Sequence, residues 1–317
     1  MTTSRGDFMP LVWKQERCEN SQKGYASKCM ASTITSGFDG LQRNLSISGL
    51  QESTISTRQT NIRSALESEM TVKESFVAGS YRRNTLIGPL ADADVDVFIV
   101  LDPTYFDQNG QAALLDRVKR VLKKTYPKTP EISRNGQAVT ITFTDFRADV
   151  VPAFYRQGGG YLIPDSTMQR WISTDPKKHI DILQAANKVH NGNLVPLMKM
   201  IKGWNVKHSW LLRSFHLEAM VLTVLNNVAI SDFPSGVRYV FDKARATIPE
   251  QLPDPAGYGG NVGAYINTQQ KIEEVVTRLA TAYQKAVEAE QLAAMGRTQE
   301  AFGKWRVIFG DYFPAYG

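Results

Sequence analysis

Gly79-Ser80-Tyr81-Arg82-Arg83-Asn84-Thr85, then Asp94-Val95-Asp96-Val97-Phe98-Ile99-Val100-Leu101, then Arg147-Ala148-Asp149-Val150-Val151, are the stretches on which the fold turns. Val95 to Leu101 reads as a strand buried on both faces. Strand side chains alternate, so Asp94 and Asp96 face the same way, roughly 7 Å apart, with Phe98 and Val100 beyond them. Like charges on one face repel, and a divalent cation is the natural offset. Mg2+ takes one or two protein carboxylates and keeps places for water and phosphate oxygens. An isolated pair of this kind is more often a solvated strand end, but Asp149 changes the balance. It lies late in a second strand among Ala148, Val150 and Val151, where an acid needs a partner. Arg147, two residues earlier on the same face, is the simple partner. If the two strands are neighbours, three carboxylates converge, as they do around two metals for in-line phosphoryl or nucleotidyl transfer. Asp149 is then also placed to take a proton from an attacking hydroxyl. Gly79 lets backbone approach a phosphate, Ser80 adds a hydroxyl donor, and a helix start after them presents N–H groups to anions.

Outward from these stretches, Phe38, Leu41 and Leu45, then Ile55, Ile62, Leu66 and Met70, keep one helical face on either side of an interruption at Ser46 to Gly49. Phe76-Val77-Ala78 runs into the Gly-Ser turn. Leu114, Leu115, Val118, Val121 and Leu122 recur at helical spacing, limited by Pro127. Asn135-Gly136 signals a hairpin turn. Val139, Ile141 and Phe143 then alternate with threonines as a half-buried strand. The strand through Asp149 is expected to end at Pro152, which cannot donate to a ladder. After Gly158-Gly159-Gly160 the pattern turns mostly helical. Asn193 is placed to cap a helix through Leu197, Ile201 and Trp204. Phe215 to Leu225 reads as a buried helix, 266–293 as a long charged one, and 298–309 as a last helix ending at Gly310.

Composition excludes several classes. The chain has 317 residues, 42% apolar and 21% charged, enough for a sizeable core and too apolar for bulk disorder. No run of ~18 uncharged apolar residues is present, so no membrane span is expected. The first thirty residues carry scattered charges and no apolar segment of the kind a secretory signal needs. Cys18 and Cys29, both in that stretch, cannot make a disulfide framework, and a reduced cytoplasmic chain is the default. The net charge of +6 suits nucleotides or nucleic acid and proves neither.

The order Gly-Ser, Asp-x-Asp, Asp resembles the DNA polymerase beta-like nucleotidyltransferases. Within them the chain is most similar to the bacterial cGAS/DncV-like enzymes, the cyclic oligonucleotide synthases of CBASS anti-phage defence. The supporting pieces are GSYRRNT, DVDVFIVL, RADVVPAF, LMKMIKGWN, SFHLEAMVL and WRVIFGDYFP, from Gly79 to Pro314, and Asp254-Pro255-Ala256 resembles a loop of the family's C-terminal lobe. The resemblance implies an α+β, bilobal nucleotidyltransferase: a mixed sheet flanked by helices, with a helical C-terminal lobe. It implies a tail at 1–30, a catalytic lobe at 31–165 and a helical lobe at 166–317. It makes Asp94, Asp96 and Asp149 the metal-binding and catalytic acids, and Gly79 and Ser80 the phosphate-binding turn. Lys202 matches a lysine that contacts the triphosphate, with Lys199 as a near neighbour. Ser214 matches a serine near the phosphates, and Phe215 an aromatic stacking on the base; helix capping and core packing are their ordinary alternatives. Glu218 is read as structural.

Two Mg2+ ions, with Mn2+ as a substitute, are the implied cofactors, and ATP with GTP the implied substrates. CBASS regulatory or effector proteins are the implied partners, with neither membrane nor nucleic acid required. Asp92 is not counted as a ligand. Arg82 and Arg83 stand where smaller residues are usual, to hold phosphates or a neighbouring loop. The four histidines share no spacing, so no structural zinc is expected. Two other readings stay open: a nucleotidyltransferase that modifies RNA or protein, and an inactive nucleic-acid-binding scaffold. The bases joined, the ring size and the linkage are not legible. Met30 precedes Ala31-Ser32-Thr33 as a second possible start, and we expect the native chain to begin there. N-terminal mass analysis of the endogenous protein should find no peptide from residues 1–29, and an intact residue 1 would refute this.

Overall fold

The computed structural model describes residues 30–47, 49–89 and 94–317. The expected tail with its two cysteines, and Asp92, lie outside these residues. The chain runs α1 (Ile34–Asn44), α2 (Gly49–Glu67), β1 (Val72–Val77), α3 (Gly79–Arg82), β2 (Asp94–Leu101), α4 (Gln111–Thr125), β3 (Ile132–Asn135), β4 (Ala138–Thr142), β5 (Arg147–Tyr155), β6 (Tyr161–Asp165) and β7 (Arg170–Thr174). Six α-helices complete it: α5 (Pro176–Val189), α6 (Leu194–Lys207), α7 (Ser214–Val224), α8 (Phe233–Thr247), α9 (Gln269–Ala294) and α10 (Thr298–Phe309).

The sheet is mixed, in the order β1-β2-β5-β4-β3. β2 and β5 are parallel neighbours at its centre, and β1, β4 and β3 pair antiparallel. Alternation along β2 divides its side chains between two cores. Val95, Val97, Ile99 and Leu101 pack with α2 and α4 side chains such as Ile62 and Val118. Phe98 and Val100 face the other way, with Val151, Ala153 and Tyr161. Asp94 and Asp96 share the parity of this second face, as expected.

Three expectations about the strands need correction. β5 does not stop at Pro152 but runs on to Tyr155. Its pairing with β4 ends at Val150 and its pairing with β6 begins at Phe154, so the residue without an N–H falls in the gap between two antiparallel partners. The triple glycine does not open the helical region either. Gly158, Gly159 and Gly160 all have positive φ (84°, 97° and 70°) and turn β5 back into β6 and β7 before the helices begin at Pro176. β6 contains Pro164, a residue that cannot donate to a ladder. The expected strand after the hairpin turn also ends two residues early, at Thr142.

The helical half closes on its own core, with Trp204, Leu217, Phe241 and Trp305 fully buried. Asn193 holds the N-cap position of α6, but the capping bond comes from Asn187, whose Oδ1 accepts from Val195 N–H at 3.0 Å. α5 and α8, not delimited from sequence, begin on Asp175 and Asp232, whose carboxylates cap them, each followed by a proline in the first turn. α1 starts on a reciprocal Thr33–Ser36 cap and packs with the helical core although it precedes the sheet in the chain. Its Phe38 ring meets Trp305 and Phe313 edge-on at 4.8 and 5.3 Å. No helix among the described residues is long and apolar enough to cross a membrane. Phe38→Ala should therefore cost ~3–5 kcal/mol of stability, read as an early thermal melt.

Candidate active site

The parallel register sets the chemistry. Asp96 lies opposite Asp149, and Asp94 opposite Arg147. Asp94 is exposed and accepts from Arg147 Nε at 2.7 Å. Arg147 therefore serves Asp94, not Asp149 as the sequence suggested. Asp149 instead accepts from the Thr140 hydroxyl, its cross-strand neighbour on β4, at 2.5 Å. That bond answers one carboxylate oxygen and supplies no charge. Burial, and then the Asp149 charge, push Asp96 up to about 7, against the pull of Arg83. Burial also raises Asp149, with Thr140 opposing.

Gly79 sits beneath this pair with φ +61°. A Cβ there would lie 1.7 Å from Asp96 Oδ2, so any side chain is excluded by contact as well as by conformation. α3 is a single turn, so its help to an anion comes from backbone N–H groups more than from a macrodipole. The carbonyl of Ser80 accepts from Thr85 and Leu86 N–H at 2.8 and 3.0 Å, which folds the turn back on itself.

A buried polar cluster joins that turn to the helical half. Glu218 of α7 accepts from Thr85 Oγ1 at 2.7 Å and pairs with Arg83 Nε and Lys202 Nζ, both at 2.5 Å. Lys202 Nζ also donates to the Thr85 carbonyl at 3.0 Å. Burial opposes ionisation of Glu218, but Lys202 and Arg83 outweigh it and hold the carboxyl at about 2. Glu218 is structural, as read from sequence, and Arg83 holds it. Lys202 is no solvated lysine, because it is buried and already paired at the cleft floor. Lys199, one turn back, reaches Asn84 Oδ1 at 3.5 Å.

A cleft of about 750 Å3 between the sheet and the helices brings together Ser80, the three acids, Lys202, Ser214 and Phe215. Ser214 opens α7, and Arg213 before it holds the cap position. Phe215 is half-buried, its ring 4.8 Å from that of His179 and 5.3 Å from the Arg83 guanidinium carbon. Sequence reasoning missed Trp210, Arg213 and Tyr265, which also line the cleft. Trp210 is half exposed (52%) with φ +57°, an uncommon state for a bulky residue. The Tyr265 hydroxyl accepts from Arg213 N–H at 2.8 Å and bonds His216 Nδ1 at 2.9 Å. No local pattern marks these three; they reach the cleft only through the fold.

Among the described residues no three His, Cys, Asp or Glu side chains are arranged to hold a metal ion. Asp94 is turned to Arg147, leaving Asp96 and Asp149 side by side. The donor set nevertheless suits a hard divalent cation: every donor is a carboxylate oxygen, and Asp96 and Asp149 stand abreast at one register position.

Turn, strand pair and cleft together define the class: a nucleotidyltransferase of the polymerase beta-like fold. Residues 32–187 match the Second Messenger Oligonucleotide or Dinucleotide Synthetase domain. Over 261 residues the chain is 28% identical to a cyclic AMP-AMP-AMP synthase of Acinetobacter sp., covering 76% of this chain and 72% of that one. Two solved structures share the fold. CdnC of Escherichia coli MS115-1, determined with ATP, superposes with a TM-score of 0.70 at 19% identity, over 89% of this chain and 99% of that one. Escherichia coli DncV, bound to 3'-deoxy GTP, gives 0.71 at 17% identity, over 87% and 94%. Residues 32–187 thus carry the second-messenger synthetase domain, and the chain as a whole is similar to the cGAS/DncV-like nucleotidyltransferases.

The raised Asp96 pKa makes stability depend on pH. The folded state keeps a proton that the unfolded chain has released above the ordinary value of 3.8, so this contribution is complete below it and is lost as pH rises to about 7. In chelator, the melting temperature should fall between about pH 4 and about pH 7, and Asp96→Asn should flatten the fall. A parallel fall in both proteins would show that Asp96 is not the group responsible.

Proposed function

We propose that the protein is a template-independent nucleotidyltransferase that joins ATP, alone or with GTP, into a small cyclic oligonucleotide, a second messenger in anti-phage defence. The observation that carries this is the pairing of Asp96 with Asp149 on adjacent parallel strands, with the Gly79 turn pressed against Asp96. The residues have separable tasks. Backbone N–H groups after Gly79 and the Ser80 hydroxyl hold the donor triphosphate. Asp149, whose pKa burial raises, accepts the proton of the attacking hydroxyl. Phe215 offers a ring face to the base, which either purine can use. Ser214 and Lys202 flank the phosphate side, Lys202 through the contacts it shares with Thr85 and Glu218. Asp94, Asp96 and Asp149 would hold two Mg2+ ions, or Mn2+ in their place, whose bound charge lowers the pKa of the attacking hydroxyl and stabilises the leaving pyrophosphate. Asp94 joins that set by leaving Arg147.

The catalytic lobe on this reading is 31–165 and the helical lobe 166–317. We place the enzyme in the cytoplasm with its nucleotides. CdnC has also been solved in complex with HORMA-deltaN, which supports a regulatory CBASS protein as a partner here. Nucleic acid is not required.

Labelled nucleoside triphosphates with Mg2+ should yield a phosphatase-resistant small product, identified by mass spectrometry, and Asp94→Asn or Asp96→Asn should reduce it to background without loss of fold. Tailed RNA, nucleotidylated protein or no turnover at all would reject the proposal.

A further inference from the structure

The loop that begins at Asp254-Pro255-Ala256 takes no part in the chemistry above, yet it is built around a buried carboxylate. Asp254 Oδ1 accepts from Ala256 N–H at 3.0 Å, and Oδ2 accepts from Gly259 and Tyr258 N–H at 2.7 and 3.3 Å. The base of the loop is closed by Asn261, whose Oδ1 accepts from Leu252 and Gly263 N–H at 3.0 and 2.9 Å. The remaining bond to Asp254 comes from outside the loop. His179 Nε2 of α5 donates to Oδ1 at 2.5 Å, with both side chains buried. Burial opposes ionisation of Asp254, but His179 and the loop amides outweigh it and hold the carboxyl at about 2. Next to His179, Lys178 Nζ donates to the Ala256 carbonyl at 2.8 Å. The imidazole is thus tied at one nitrogen, and the adjacent Lys178 side chain ties α5 to the same loop.

That imidazole bears on the cleft. Its ring lies 4.8 Å from the Phe215 ring at an interplanar angle of 58°. Phe215 is half-buried on the cleft wall and stands outside the apolar core of the helical half. Its other neighbour is the Arg83 guanidinium, held by Glu218. Both groups against the ring are therefore set by buried carboxylates, one in the Asp254 loop and one on α7.

We propose that His179, fixed by Asp254, is a positioning residue that holds the Phe215 side chain at the cleft wall, so that a nucleobase meets a preset ring. The proposal rests on the reading of Phe215 as the base platform. A ring held in place before binding loses no rotamer freedom when the base arrives, so its loss weakens base binding and not phosphate binding.

The test compares the full-length protein with His179→Gln, Phe215→Ala and the double variant. Calorimetry measures affinity for ATP and for inorganic tripolyphosphate, and turnover is measured at saturating ATP. Gln at 179 keeps a donor for Asp254 and removes the ring. We expect His179→Gln to melt with the parent protein, to bind ATP roughly tenfold more weakly and to bind tripolyphosphate unchanged. Turnover should change little, and the double variant should bind ATP no more weakly than Phe215→Ala. Should His179→Gln melt early, His179→Phe keeps a ring without the bond that fixes it and should still bind ATP more weakly than the parent protein. Unchanged ATP affinity in His179→Gln beside weakened affinity in Phe215→Ala overturns the role of His179. So does additive loss in the double variant, an equal loss for tripolyphosphate, or normal ATP binding in His179→Phe. Unchanged affinity in Phe215→Ala overturns the platform reading itself.

Discussion

Everything in this molecule is arranged around two carboxylates that the parallel pairing of β2 with β5 forces abreast. Asp96 and Asp149 lie at one register position, each flanked by the apolar residues that bury its strand. Burial raises the pKa of each, and at Asp96 the neighbouring Asp149 charge raises it further. The protein offsets little of this. Thr140 gives one hydrogen bond to Asp149, and Arg147 is spent on Asp94. A site held under such repulsion suits cationic and phosphate chemistry, because binding supplies the charge that folding left out.

The second constraint is mechanical. A cleft between a sheet and a helical bundle works only if its two walls keep a fixed spacing. Glu218 does this from α7, reaching across the cleft floor to Arg83 and Thr85 at the end of the Gly-Ser turn, while Lys202 closes the cluster from α6. A buried ion pair adds little net stability over an apolar packing of the same volume, but removing one partner leaves an uncompensated charge. Its value here is orientation: α7 carries Ser214 and Phe215 one turn before Glu218, so one carboxylate relates the phosphate turn to the base side of the cleft.

Similarity to CdnC and DncV follows from the same frame. At 17–19% identity most surface and core side chains have changed, yet the fold superposes with TM-scores near 0.70. Cores tolerate exchange of apolar residues when volume and pattern are kept. The register of two central strands tolerates no such exchange, because a slip of one residue would send each carboxylate to the opposite face.

What the sequence alone determined were the features whose cause is local. The Asp-x-Asp alternation, the Gly-Ser turn, the hairpin at Asn135-Gly136 and the stop at Gly310 each depend on a few adjacent residues, and each is found where periodicity and turn chemistry put it. Tertiary structure decided the rest. Whether Asp149 stands beside Asp96 is a matter of strand neighbourhood, which sequence could only pose as a condition. Arg147 and Asp149 share a face, yet the register gives Arg147 to Asp94 and Thr140 to Asp149. Pro152 reads as a strand end until the gap between β4 and β6 is seen to lie at that point. Lys202 and Glu218 reach Thr85 and Arg83 across separations of more than a hundred residues, and Tyr161 covers the sheet face with Phe76 and Phe98, which are also far from it in sequence. Such contacts carry no local signature, because a side chain's partner is set by which elements pack together, and only the closed fold specifies that.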